Sequence, residues 1–322
     1  METNPDQPYL EELRTTDFQP IFILGVHRSG TSILYKMLTA TDCFNAVTAY
    51  HLIKYNELLS NHYHGQEHHV KQELTDSFKQ GGLETRKIDS LRLTADFAEE
   101  YGFLLAKKTI ELHLTPKNID LFKDLCKKIQ VLAGNDKPIL LKNPYDFSNF
   151  LYLKQMFPKA KFIFIHRHPF KTISSARKAI EMVFQSKNQY LTNLLYGFYK
   201  KMYHPVVFLP FRVVFSKVPD MGVLVLTRMT TNATTYYLKN ISKLPGNDYC
   251  IITYEEFCEH TQQTIQIIMD TLSLPFTTRV DMELLMNPRK TTVDPSVRKW
   301  KRFIYWSMKQ YFDRFGYTIE GE

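Results

Sequence analysis

The feature that most constrains the fold is a short apolar segment that leads directly into a glycine-containing loop. Residues 20–24 read Pro-Ile-Phe-Ile-Leu, residues 25–32 read Gly-Val-His-Arg-Ser-Gly-Thr-Ser, and a helical pattern of apolar residues begins at Ile33. A continuously apolar strand is typical of a parallel sheet that is covered on both faces. In a strand–loop–helix unit, backbone N–H groups and the helix N-terminus converge and can bind an anion. The segment therefore predicts an α/β fold with an anion site at the end of its first strand.

Three further apolar segments predict strands at residues 138–141, 161–165 and 249–253. Between the strands, the spacing of apolar residues predicts helices over 30–40, 51–80, 95–111, 117–133, 146–157, 169–184, 187–202, 223–243, 254–272 and 296–315. Strands that alternate with helices imply right-handed crossovers and a three-layer, doubly wound parallel sheet. Because the sequence has no internal repeat and no Gly/Ser-rich linker, we expect one domain over 1–322, with a polar N-terminal extension at 1–19 and helical insertions at about 55–135 and 185–245.

The composition and charge of the chain limit the kinds of partner that it can bind. The chain of 322 residues has a formal net charge of +8, and its Lys and Arg residues are scattered rather than collected in one block. This pattern favours an anionic nucleotide over a nucleic acid as the partner. The four cysteines have no disulfide or zinc spacing. The N-terminus lacks the apolar core of a secretory signal, and no segment reaches the ~18 apolar residues of a membrane span. We therefore expect a cytoplasmic protein without a transmembrane segment.

The loop itself has the spacing of a Walker A phosphate loop, with Thr31 at the position of the Walker lysine. The missing lysine disfavours a magnesium-dependent NTPase. Arg28 supplies a cation two residues before Gly30 instead. The run Arg28-Ser29-Gly30-Thr31-Ser32 resembles the 5′-phosphosulfate loop of the sulfotransferase superfamily, (K/R)-S-G-T-(T/S) after a buried strand. The resemblance implies a P-loop NTPase-like fold and 3′-phosphoadenosine 5′-phosphosulfate (PAPS) as co-substrate, with no metal required.

Further segments resemble the rest of the nucleotide site of this family. Arg167 ends a predicted strand and Ser175 follows eight residues later, as in the family's 3′-phosphate motif. Tyr254 begins a segment that resembles the family's Y-E-(D/E), in which the tyrosine lies beside the adenine. Arg289 and Lys290 resemble the basic loop that closes on the 3′-phosphate, although Thr291 stands where the family usually has glycine.

Sulfuryl transfer also needs a cation for the leaving phosphate and a base for the acceptor. Lys142, at the end of a predicted strand, resembles the family's lysine that contacts the bridging oxygen. The chain resembles most the bacterial and the tyrosylprotein-type members of the family. The tyrosylprotein-type members carry a glutamate about twenty residues after the loop, where this chain has Ala49. His51, with a near-neutral intrinsic pKa, is the first candidate for the base. The alternatives are Glu57, Glu99 and Glu100.

The acceptor is less constrained than the donor. Residues 190–237 are rich in Tyr, Phe, Met and Val, a composition that suits an apolar or aromatic acceptor but also a packed helical layer or a homodimer interface. The sequence therefore predicts sulfuryl transfer to a hydroxyl or amine of a small molecule or lipid. A P-loop kinase or NTPase, a basic nucleic-acid or membrane-surface binder, and a degenerate nucleotide-binding module are the rival hypotheses.

Overall fold

The computed structural model describes residues 4–83, 85–86, 91–185, 204–216, 221–276, 282–286 and 292–320. Its main strands are β1 Pro20–Leu24, β2 Asn45–Ala46, β5 Ile139–Lys142, β6 Lys161–His166 and β7 Tyr249–Thr253. They form one sheet in the order β2-β5-β1-β6-β7, and all neighbouring pairs are parallel. The short strands β3 Thr85–Arg86 and β4 Leu91–Arg92 form a separate antiparallel pair. The predicted α/β fold with a parallel sheet is confirmed.

Alternate residues of the strands point into two separate buried clusters. Phe22, Leu141 and Phe164 belong to one cluster, whereas Ile23 and Leu140 belong to the other. Successive side chains of a strand point to opposite faces of the sheet. Both faces are therefore covered, which accounts for the continuously apolar strands and gives the three layers.

The helices surround the sheet and extend beyond it. They are α1 Thr31–Thr39, α2 Ala49–Ile53, α3 Leu58–Tyr63, α4 Glu67–Gln80, α5 Gly102–Thr109, α6 Ile119–Ala133, α7 Phe150–Met156, α8 Pro169–Gln185, α9 Pro205–Val214, α10 Met221–Asn240, α11 Tyr254–Glu259, α12 Thr261–Leu272, α13 Met282–Leu285, α14 Pro295–Lys299, α15 Lys301–Ser307 and α16 Lys309–Phe315. Short 3-10 helices cover Gln7–Arg14, Pro144–Asp146, Ile241–Lys243 and Gly246–Asp248. Among the described helices, none has the length and apolar character to cross a membrane.

Several predicted helices are divided in the structure. The segment 51–80 contains α2, α3 and α4, and Gly65 adopts a left-handed φ of +65° in the turn between the last two. The segment 254–272 is divided at His260, whose φ of −134° and ψ of 56° are not helical. The prediction for 95–111 was too long, because only α5 is helical there. The predicted helix over 187–202 lies outside the described residues.

The described part of the polar N-terminal segment is attached to the domain through a buried ion pair. Asp6 is fully buried, and Lys128 Nζ on α6 lies 2.6 Å from its Oδ2. The backbone N–H of Ser60 donates to the other carboxylate oxygen at 2.9 Å, and Lys128 also donates to the carbonyl of Tyr55. A buried ion pair is stable only when further hydrogen bonds satisfy both charges, as they do here.

Candidate active site

The carboxyl ends of four adjoining strands carry the predicted site residues. β1 leads into the loop 25–30, β5 ends with Lys142, β6 is followed by Arg167, and β7 is followed by Tyr254. Because β1 pairs with β5 on one side and β6 on the other, and all run parallel, these ends lie side by side. Open α/β sheets bind their ligands in the crevice outside the carboxyl ends of the strands.

The phosphate loop is packed so closely that glycine is required at two positions. Gly30 has a φ of +105°, and a Cβ there would lie 2.3 Å from Cδ2 of Tyr254. A Cβ at Gly25 would lie 2.6 Å from the carbonyl oxygen of Ile165. Arg28 itself adopts a left-handed φ of +72°, an uncommon conformation that occurs often at functional sites. The loop is therefore held in one conformation by β6 and by the start of α11.

We expect Gly30→Ala to lower the free energy of unfolding by about 2–4 kcal/mol, because the left-handed backbone and the displaced ring each add a cost. Gly134→Ala is the matched control, since Gly134 also has a left-handed φ (+57°) but no atom lies within 4 Å of its added Cβ. That control should cost only about 1–2 kcal/mol. Urea unfolding of both variants measures the difference, and equal costs would show that Tyr254 does not support the loop.

The two predicted halves of the nucleotide site meet in the structure. Arg28 Nε donates to Ser175 Oγ on α8 at 3.0 Å, and an N–H of the Arg167 guanidinium donates to the carbonyl of Arg28 at 3.1 Å. The Arg167 guanidinium also lies 4.1 Å from the centre of the Tyr254 ring, in a cation–π contact. Tyr254 thus lies between Arg167 and Gly30, and the five residues form one contiguous site.

Lys142 connects the loop to a carboxylate. Its side chain is only 1% exposed, and its Nζ donates to Ser32 Oγ at 3.1 Å and lies 2.8 Å from Glu100 Oε1. Ser32 belongs to the first turn of α1, directly after the loop. Lys142 is therefore a buried ammonium group with the hydroxyl of Ser32 on one side and the carboxylate of Glu100 on the other.

The segment before α5 places Glu100 at this position. The backbone N–H of Glu99 donates to the carbonyl of Val47, and Thr48 and Ala98 form an isolated antiparallel bridge. These contacts hold residues 97–100 against the segment that follows β2. Glu99 itself is fully buried, and its Oε1 accepts from the N–H of Glu100 at 3.0 Å.

His51, the first candidate for the base, is buried, and the hydrogen bonds of its ring are local. It is the third residue of α2, and it forms a capping box with Thr48, whose N–H donates to His51 Nδ1 at 3.1 Å. Burial lowers the pKa of His51 to about 3; Lys71 lowers it too, and a hydrogen bond to the backbone of Ala46 opposes the shift. Both ring interactions are thus local, and the imidazole is neutral at physiological pH.

Glu57, another alternative, forms an ion pair with Lys54 at 3.2 Å, and its side chain is 41% exposed. Among the candidates for the base, Glu100 is the one for which the structure shows a contact with Lys142. Arg289 and Lys290 lie outside the described residues, so the predicted basic loop has no geometry here.

His27 is a loop residue that the sequence did not single out as a site residue. Its ring lies 4.4 Å from that of Tyr145, in an edge-on contact, and Tyr145 is 42% exposed. The His27 side chain reaches solvent, but partial desolvation by the neighbouring protein atoms lowers its pKa. The negative charge of Glu100 opposes this shift, and the positive charges of Lys142 and Arg28 add to it. The effect of these charges places His27, with Tyr145 against it, near the Lys142–Glu100 pair. Only its place inside the phosphate loop could have pointed to His27 in advance.

A cavity of about 320 Å³ opens next to Ser32. Its walls are the outer side of α1 and the segment before α5, and its lining includes Lys36, Arg92, Asp96 and Phe97. The volume is at the lower end of the range for small-molecule sites. The Lys142–Ser32 pair thus adjoins an open space as well as the phosphate loop.

The comparison with known families decides the classification. The model of a family described as "Sulfotransferase family" matches residues 20–206, more than half of the chain. The chain belongs to the sulfotransferase family. The predicted sulfotransferase activity, the transfer of a sulfuryl group, is therefore confirmed at the level of the family. The matched range contains the phosphate loop, Glu100, Lys142, Arg167 and Ser175.

Solved structures share the fold of this sulfotransferase. The sulfotransferase STF9 from Mycobacterium avium superposes with a TM-score of 0.67 at 16% identity, over 98% of this chain and 82% of that one. The sulfotransferase STF1 from Mycobacterium tuberculosis H37Rv superposes with a TM-score of 0.54 at 14% identity, over 98% of this chain and 78% of that one. At these identities the likeness shows the fold alone. No curated protein matches the sequence significantly.

Proposed function

We propose that this sulfotransferase uses PAPS as its donor and transfers the sulfuryl group in line to a hydroxyl or amine of a small-molecule or lipid acceptor. The observation that carries the proposal is the position of Lys142, which joins the hydroxyl of Ser32 to the carboxylate of Glu100 at the end of β5. A phosphate loop, a buried cation and a carboxylate in contact are the groups that this transfer requires.

The residues at the strand ends fit the donor. Arg28, Lys142 and Arg167 offer three cations at one edge of the sheet, and the hydroxyl of Ser29 is buried without a hydrogen-bond partner among the described residues. A buried polar group without a partner is uncommon and is expected where a ligand binds. In the proposal, the 5′-phosphosulfate end is held by the loop residues Ser29, Gly30, Thr31 and Ser32, together with Arg28 and Lys142. The 3′-phosphate is held by Arg167 and Ser175, and Arg289 and Lys290 close over it. Tyr254 lies beside the adenine.

We assign the base to Glu100 in place of His51. When bound, PAPS supplies the sulfuryl group and a bisphosphate leaving group. The carboxylate of Glu100 takes the proton of the acceptor as the new bond to sulfur forms, and Lys142 and Arg28 stabilise the negative charge that develops on the departing oxygen. Because the transition state of such transfers is loose, positioning and charge account for most of the rate. We expect His27 and Tyr145 to contact the acceptor, because His27 belongs to the loop that holds the donor and Tyr145 lies against His27.

A thermal-shift measurement with adenosine 3′,5′-bisphosphate tests the donor. A ligand present at a hundredfold excess over its Kd contributes about 2.7 kcal/mol, which should raise the Tm by about 5 °C. Arg167→Ala should lose most of this rise, because it removes a cation from the 3′-phosphate site and the support of Tyr254. Arg212→Ala, on the exposed part of α9, is the control and should keep it. Absence of a shift in the unaltered protein would refute the PAPS assignment.

The acceptor class is tested separately. Transfer from sulfur-labelled PAPS to phenols, alcohols, amines and lipids should give a labelled product with at least one class. If the nucleotide binds and none of the four classes is labelled, the result would favour the alternative of a degenerate nucleotide-binding module. Magnesium-dependent ATP hydrolysis that Arg28→Ala abolishes would instead favour the kinase or NTPase alternative.

A further inference from the structure

The C-terminal helices carry an exposed aromatic and basic surface that the proposed site does not use. α14, α15 and α16 follow one another almost without interruption between residues 295 and 315. Their inward side is apolar and packs on α8 and α10, with Val297, Ile304, Met308 and Phe312 buried. These side chains fix the orientation of the three helices, and so determine which residues point outward.

The outward side combines large aromatic groups with cations. Trp306 is 77% exposed and Phe303 is 42% exposed. Lys299 and Arg302 are exposed in the same stretch, whereas the exposed Lys309 forms an ion pair with Asp313 at 2.7 Å. Arg302, Phe303 and Trp306 are three to four residues apart on α15 and lie along one side of it, and Lys299 is the last residue of α14 just before it. We call this set of four residues the Trp306 surface.

A second exposed apolar element belongs to the same packed layer. α9 presents Val206, Leu209 and Val213 to solvent at 75%, 57% and 60% exposure. Phe215, directly after α9, lies in the same buried cluster as Val297 and Ile304. The aliphatic side chains of α9 cannot stack on nucleobases as aromatic side chains do. These three side chains are suited to contact with acyl chains, which favours a lipid partner over a single-stranded nucleic acid.

We propose that the Trp306 surface docks the protein peripherally on a membrane that carries anionic lipids. Trp and Phe side chains enter the interfacial region of a bilayer, and Lys and Arg remain with the headgroup phosphates. Each cation near an anionic membrane contributes about 1 kcal/mol, and the formal net charge of +8 favours the encounter. A polar bilayer surface with an apolar interior is complementary to an aromatic group surrounded by cations. The proposal is independent of which donor the active site uses.

The chain offers a direct probe, because it has only two tryptophans, Trp300 and Trp306. Trp300→Phe leaves Trp306 as the only tryptophan in the protein. Its emission should shift to shorter wavelength when vesicles of phosphatidylcholine and phosphatidylserine are added, and the protein should sediment with them. Pure phosphatidylcholine vesicles should bind at least tenfold more weakly, since about 1 kcal/mol per cation is then lost.

Variants separate the two components of the surface in the full-length protein. Phe303→Ser with Trp306→Ser, and separately Lys299→Glu with Arg302→Glu, should each weaken vesicle binding by about tenfold or more. Ile267→Ser, which alters a 49% exposed apolar residue on α12, is the matched control and should bind as the unaltered protein does. Circular dichroism and the adenosine bisphosphate thermal shift verify that each variant remains folded, and they report on the donor site separately from vesicle binding.

Three outcomes would overturn the membrane assignment. Equal sedimentation with and without phosphatidylserine would remove the role of the cations. Tighter binding to a single-stranded oligonucleotide than to the vesicles would indicate a nucleic-acid surface. A shift of the Trp306 emission with protein concentration alone, accompanied by a dimer in analytical ultracentrifugation, would indicate that a second copy of the chain covers the surface.

Discussion

Glu100→Gln is expected to lower kcat by about 10²–10⁴-fold while nucleotide binding persists, because a glutamine cannot accept the proton of the acceptor. The substitution is nearly isosteric, and the amide oxygen can still accept from Lys142 Nζ, which lies 2.8 Å from the carboxylate in the unaltered protein. The loss should therefore appear in kcat and in kcat/KM, and the thermal shift with adenosine bisphosphate should remain. Steady-state kinetics with a labelled donor measure the two effects.

Two control variants test the alternatives for the base. His51→Gln should retain turnover within a few-fold, since a glutamine at the third position of a helix also completes a capping box with Thr48. Glu57→Gln changes an exposed carboxylate and should behave in the same way. Near-normal turnover of Glu100→Gln, together with a large loss in His51→Gln, would return the role of the base to His51.

Acidification from about pH 6.5 to about pH 4.5 should lower the free energy of unfolding on the order of 5 kcal/mol through two buried histidines alone. Burial lowers the pKa of His51 and of His166 to about 3. His166 is 1% exposed, its Nδ1 lies 3.0 Å from the Tyr311 hydroxyl, and its ring stacks on Phe315. A proton gained by either ring would place a charge in a buried environment that disfavours it.

The direction of this pH dependence follows from the number of protons that the folded and the unfolded states bind. Between the ordinary histidine pKa of 6.5 and the folded-state pKa of about 3, the unfolded chain binds two more protons than the folded one. Stability is therefore complete above pH 6.5 and decreases as the pH falls, by about 1.4 kcal/mol per pH unit for each histidine.

Urea unfolding at a series of pH values measures this dependence, and the difference between the unaltered protein and His51→Gln isolates one histidine. The variant should lose stability more gently on acidification, by about 1.4 kcal/mol per pH unit. Because the comparison cancels the carboxylates common to both proteins, parallel curves would contradict the buried, neutral state of His51.

The sequence predicted most of the central sheet. The strands at 20–24 and 249–253 were correct to the residue, and those at 138–141 and 161–165 were correct to within one residue at each end. Such strands are recognisable because burial on both faces demands an uninterrupted apolar run. β2 was missed because Asn45–Ala46 has only two residues and neither is strongly apolar. The long helical predictions were wrong at their interior breaks, where Gly65 and His260 leave the helical conformation. These breaks were missed because the apolar periodicity continues across them.

The glycine-containing loop was recognised from the sequence alone, because the glycines, the strand before it and the helix after it are neighbours along the chain. Local chemistry of this kind needs no long-range contact to be recognised. The proposal of Glu100 as the base rests on the tertiary structure alone. Glu100 is 42 residues from Lys142 in sequence, and nothing in its local pattern distinguishes it from Glu57 or Glu99. Its position depends on the backbone contacts that hold residues 97–100 against the segment after β2, and the same fold buries His51 and keeps it neutral. A carboxylate or an imidazole acquires its chemical role from burial and from the charge beside it, and both arise only when distant segments pack together.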